Sequence, residues 1–189
     1  MTDSIGECDT GNGNWSILQM RKRILNPISM LFIGLILGTV SRLLDIYTEN
    51  LGNIFSQMAI WILFGVLISI YSSSKKGAML NILPFCIGML ITYYFAAFVT
   101  KGVYSSVFII GWTVFAFLSP VMAYFTWMTK EKGVFPKIIG VGIILVSLLS
   151  SAGLFDRIRI YDIVINGVTA YFLFVKKIDR KNKNTKVKN

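Results

Sequence analysis

Long uncharged stretches dominate this chain, each broken by a few polar or basic residues. Six such runs stand at residues 28–44, 54–71, 79–99, 104–128, 138–155 and 158–175. A membrane helix needs roughly 20 largely apolar residues, and most of the runs reach or approach that length. Membrane β-strands are about ten residues long and alternate in polarity, so a barrel is excluded. The links between runs are short and leave no room for a soluble domain, which makes sequential helices antiparallel neighbours. The predicted fold class is all-α: a polytopic membrane protein with six transmembrane helices in a compact antiparallel bundle. Residues 1–25 read as a disordered cytoplasmic tail, 26–176 as the transmembrane domain and 177–189 as a basic cytoplasmic tail.

The last run is too short for its task. Thirteen uncharged residues separate Asp162 from Lys176. At 1.5 Å per residue they cover roughly 20 Å, against roughly 30 Å of hydrocarbon. The shortfall is about seven residues, which reaches back to Asp156. Asp156, Arg157, Arg159 and Asp162 are therefore expected in or just outside one leaflet, or the bilayer thins around them.

Composition supports the membrane reading. Of 189 residues, 54% are hydrophobic and only 15% charged, and a soluble core of this kind would expose aggregating patches. The net charge of +10 could signal nucleic acid, but the basic residues sit at the ends of apolar runs, so no nucleic-acid partner is expected. With six helices, 15 of the 19 Lys and Arg fall on the side that carries both termini, and 4 on the other. That bias predicts a multi-pass protein with its N and C termini cytoplasmic, the expected location being a cell (inner or plasma) membrane, as the resemblance described below implies. The partners implied are the bilayer itself and anionic lipid at the basic C-terminal tail. Cys8 and Cys86 form no CxxC pair and imply neither a disulfide framework nor a metal knuckle.

Polar residues inside the runs gather toward the outer half. At 100° per residue, Arg159, Asp162, Asn166 and Thr169 fall within about 80° of one another on a single helix. Gly34, Gly38, Ser41, Arg42 and Asp45 fall within about 100° on the first helix, and Gly34 and Gly38 form a GxxxG. Asn53, Gln57 and Trp61 share a face of the second helix, and Tyr93, Tyr94 and Trp112 offer a pocket lining at similar depth. Charges at mid-membrane cost roughly 2.5–3.5 kcal/mol each and less near the interface, so they should face each other or a wet cavity. Simple snorkelling of Arg42, Arg157 and Arg159 to the headgroups is one reading, and two more stand beside it. One is an ion-pair cluster that locks helices one and six, for example Arg42 with Asp162. The other is an outward-facing polar pocket built from Arg42, Asp45, Asn53, Gln57, Arg159, Asp162 and Asn166 that binds a small solute or ion. Pro84 and Pro120 interrupt the third and fourth runs, where freed carbonyls kink the helix or line a cavity.

Catalytic chemistry is sparse. The chain contains no histidine, which removes imidazole-based metal sites, nucleophile pairs and proton relays. GxSxG, HExxH, P-loop and GxGxxG motifs do not occur. No enzyme activity, metal or cofactor is expected. The functional expectation is a solute-binding, transport-related membrane protein. The alternative is an accessory membrane protein that binds partner subunits, with an intramembrane enzyme ranked behind both.

Asp45, Leu51-Gly52-Asn53, Trp61, Tyr71-Ser72-Ser73-Ser74, Ala78, Asn81, Gly88-Met89-Leu90, Tyr93-Tyr94, Trp112 and Ser119-Pro120 stand in an order that resembles a family of small bacterial multi-helix membrane proteins of unknown function. That resemblance covers the first four helices and implies a bacterial inner membrane. In size and helix count the chain is also similar to the substrate-binding subunits of energy-coupling-factor vitamin transporters. Its first helix, however, carries Gly34 and Gly38 in place of an A-x-x-x-A docking motif.

Overall fold

A computed structural model describes residues 24–48, 58–99, 106–155, 159–176 and 178. Among these the chain forms six α-helices and no strand: α1 (Pro27–Tyr47), α2 (Met58–Tyr71), α3 (Lys75–Val99), α4 (Ser106–Met128), α5 (Val134–Phe155) and α6 (Ile160–Ala170). A π-helical turn, Tyr171–Val175, extends α6. The expected tails and Asn53, Gln57, Asp156 and Arg157 lie outside the described residues, as does the side chain of Asp45.

Four helices are long and apolar enough to cross a membrane: α1 over Pro27–Leu44, α3 over Lys75–Phe95, α4 over Ile110–Met128 and α5 over Val134–Ala152. Among the described residues α2 and α6 are shorter apolar helices, and α2 starts at the first described residue of its stretch. Outward faces carry large apolar side chains such as Ile36, Phe95, Leu149 and Phe117, the last 70% exposed. The interior, by contrast, holds Ser41, Ser69, Ser72, Asn81, Ser119, Thr126, Ser147, Ser151, Asp162, Asn166 and Thr169. A fold that keeps its small polar groups inside and its large apolar groups outside suits a lipid surround, where water cannot satisfy a backbone or hydroxyl.

The short α2 is the hub, packed against α3, α4, α5 and α6. Trp61 reaches a core shared with Met30, Ile82, Phe85 and Ala116. Ile62, Val66 and Ile70, spaced four apart on another face, pack with Ile143 of α5 and Leu173. α1 packs most closely on α3, and α1 and α6 share no packed interface among the described residues.

Two helix starts differ from the hydrophobic boundaries. α3 begins at Lys75 and α5 at Val134, each four residues before its apolar run, so Lys75, Lys76 and Lys137 are helical and not loop residues. Hydropathy marks where lipid begins and does not mark where the helix begins. Lys75 is accommodated by Glu131 at 2.9 Å and by the faces of Tyr124 and Trp127 at 5.6 and 5.4 Å. The same end is tied by Trp127 Nε1, which donates to the Ser72 carbonyl at 3.0 Å, and by Asn81 Nδ2, which donates to Leu25 O and Ser72 Oγ. Both prolines lie within continuous helices. Pro120 frees the Ala116 carbonyl, and the neighbouring Ser119 hydroxyl donates to it at 2.7 Å.

Candidate functional site

The seam between α1 and α3 is built from missing side chains. A Cβ on Gly88 would stand 2.6 Å from the Leu31 carbonyl, and one on Gly38 would stand 2.7 Å from the Met89 carbonyl. A Cβ on Gly34 would run into the Phe85 carbonyl. The two backbones therefore touch over several turns, which is what GxxxG spacing permits. Pairing rises in step along both helices, from Gly34 at Phe85 to Gly38 at Met89.

Past this seam, α1, α2, α3 and α4 border a half-open cleft. Gly38 and Ser41 of α1, Trp61 of α2, Tyr93 and Tyr94 of α3 and Trp112 of α4 line it. Tyr93 and Tyr94 meet edge to face with centroids 5.9 Å apart, and Trp112 stacks edge-on to Phe115. The hydroxyls of Tyr94 and Thr113 are hydrogen-bonded. The Arg42 guanidinium lies over the Tyr93 ring, 5.6 Å from its centre. Aromatic walls, a few hydroxyls and one adjacent cation can hold a flat apolar body that carries an anionic group.

A second polar locus lies between α5 and α6. Asp162, the third residue of α6, accepts the Arg159 backbone N–H at 2.9 Å on one carboxylate oxygen, which fixes where α6 begins. Its other oxygen accepts from Ser151 Oγ at 3.3 Å. Asp162 is 0% exposed. Asn166 Nδ2 donates back to the Asp162 carbonyl at 2.8 Å. The contacts run in opposite directions along the two helices: Ser151 meets Asp162, and Gly140 faces the Phe174 ring. One turn in from the Ser151–Asp162 bond stand Ser147 of α5 and Asn166 of α6. Ser147 Oγ and Asn166 Oδ1 are buried and have no hydrogen-bond partner. Left empty, such atoms cost about 1–3 kcal/mol each.

The structure divides the expected cluster. Arg42 stands beside the aromatic cleft, over Tyr93, and Asp162 lies in the α5–α6 seam, on helices with no packed interface among the described residues. α1 packs its small-residue stripe against α3, whereas α6 packs against α2 and α5. Asp162, Asn166 and Thr169 are together on one buried face, as their spacing predicts. Arg159 is not a helical residue. Its backbone is extended because Asp162 caps the helix after it, and its side chain turns to the Tyr161 ring and hydroxyl. Sequence reasoning passed over Ser147 and Ser151. The signal was present: two serines four apart on α5 match two polar residues four apart on α6. Among the described residues no three His, Cys, Asp or Glu side chains converge.

A family model described as a family of unknown function (DUF6518) matches residues 18–175. No curated protein and no solved structure matches the chain.

Proposed function

Because the chain belongs to a family of unknown function, its activity is argued from its own geometry, and we propose a non-enzymatic, six-span membrane protein that binds a small solute in the aromatic cleft. The observation that carries this reading is the chemistry of the cleft itself, walled by Trp61, Tyr93, Tyr94 and Trp112. Arg42 above Tyr93 supplies the positive charge, and the rings cover an apolar body. The solute class is a small molecule with a flat apolar part and one anionic group. In the orientation given by the basic residues, both termini are cytoplasmic and the cleft opens outward, which suits uptake or sensing of an external solute.

The test uses the full chain in lipid nanodiscs, with tryptophan fluorescence read during titration with small aromatic carboxylates, from benzoate to naphthoate. Trp61 and Trp112 lie in the lining and should report occupancy. The expected result is a saturable change that Arg42→Gln weakens roughly tenfold, about 1.4 kcal/mol. A linear response identical in Arg42→Gln would reject the cleft as a site for this class.

A further inference from the structure

Hydroxyls in this bundle mostly bond to their own helix. Thr39, Ser69, Thr92, Thr126 and Thr169 each donate to the carbonyl four residues earlier. This is the usual way a membrane helix settles a hydroxyl. Ser147 departs from the habit. Its Oγ has no partner although the residue is only 1% exposed. Asn166 Oδ1 is likewise without a partner at 5% exposure. Both atoms belong to the seam whose neighbouring rung is the Ser151–Asp162 hydrogen bond.

From this we propose that the α5–α6 seam holds one monovalent cation of sodium's size, coordinated by Ser147 Oγ and Asn166 Oδ1 beside the Asp162 carboxylate. The donor set decides the class. Its atoms are all oxygens, which suits a hard cation and excludes thiolate- or imidazole-seeking metals. It carries one formal negative charge, which matches a single positive charge better than a divalent ion. Ser69 of α2 and Thr169 of α6 are buried on the neighbouring faces and their hydroxyls are already bonded, so the two unpartnered oxygens are the ones left to bind. The site lies on α5 and α6, whereas the aromatic cleft lies on α1 to α4, and it stands or falls independently of solute binding.

The experiment compares the full chain in nanodiscs at equal ionic strength in sodium and in N-methylglucamine, a cation too large to enter. Thermal unfolding is followed alongside binding of radioactive sodium. Sodium should raise Tm by roughly 5–10 °C at about a hundredfold excess over its dissociation constant. One sodium should bind per chain. Ser147→Ala and Asn166→Leu should each weaken that binding roughly tenfold or more and shrink the Tm response. Ser147→Ala deletes an atom bonded to nothing in the protein, so it tests the site without removing a structural hydrogen bond. A sodium-independent Tm would overturn the proposal, the more so if Ser147→Ala is neutral or stabilising. The seam would then hold only an ordered water or an unfilled gap.

Discussion

The α1–α3 and α5–α6 seams solve the same problem in opposite ways. In a lipid surround, which the four long apolar helices suit, hydrophobic exclusion would give either seam little, because lipid is as apolar as the helices. α1 and α3 remove side chains until backbones touch, at Gly34, Gly38 and Gly88. α5 and α6 keep side chains and make them polar, through Ser147, Ser151, Asp162 and Asn166. The first seam is closed to any occupant. The second leaves two buried oxygens unmet. The aromatic cleft opens where the glycine seam ends, at Gly38.

The largest effect that would break this contrast is expected at the glycines. Gly34→Val and Gly88→Val place carbons against the backbone carbonyls of Phe85 and Leu31, which cannot swing away. Each should cost at least about 3 kcal/mol, read as a lower unfolding midpoint in a mixed-micelle denaturant titration. Next comes Asp162→Ala, which removes the acceptor for Arg159 N–H and for Ser151 Oγ. About 2 kcal/mol should be lost in the same titration, with faster amide exchange over the first turn of α6.

Lys130 sharpens the comparison at the other end of α6. Its Nζ donates to the carbonyls of Leu173 and Lys176 at 3.0 and 2.7 Å and also to that of Phe172, closing the π-helical turn. Lys130→Met should cost about 1.5 kcal/mol and loosen amide protection in Tyr171–Val175. The smallest effect belongs to Gly142→Ala on α5, where an added Cβ meets no atom within 4 Å. It should change stability by no more than about 0.5 kcal/mol. If Gly142→Ala proved as damaging as Gly34→Val, close approach would not be what distinguishes the first seam.

The existence and order of six apolar helices were legible in the sequence, because charge-poor runs are a strong signal. The shortness of the last helix was legible too: Ile160–Val175 is among the shorter apolar segments. Helix pairing was not legible. Polar stripes on α1 and α6 look complementary in sequence, yet a stripe states only which face is packed and does not state by whom. Gly34 and Gly38 carry information about backbone distance, and the backbones they meet are those of Phe85 and Met89 on α3. Arg159 was misplaced because periodicity treats every residue as helical, whereas Asp162 captures its N–H and ends the helix there. The aromatic lining was half legible, since Tyr93, Tyr94 and Trp112 share a depth while only the fold brings Trp61 beside them.

The central claim is that the cleft is a water-accessible site opening outward, which thiol accessibility tests directly. In a chain carrying Cys8→Ser and Cys86→Ala, Tyr94→Cys places a thiol in the lining and Ile36→Cys places one on the lipid-facing surface. A membrane-impermeant maleimide added outside intact cells should label Tyr94→Cys and leave Ile36→Cys unlabelled, with naphthoate slowing the reaction. Labelling of Tyr94→Cys only from the cytoplasmic side, or no faster than Ile36→Cys, would contradict the account.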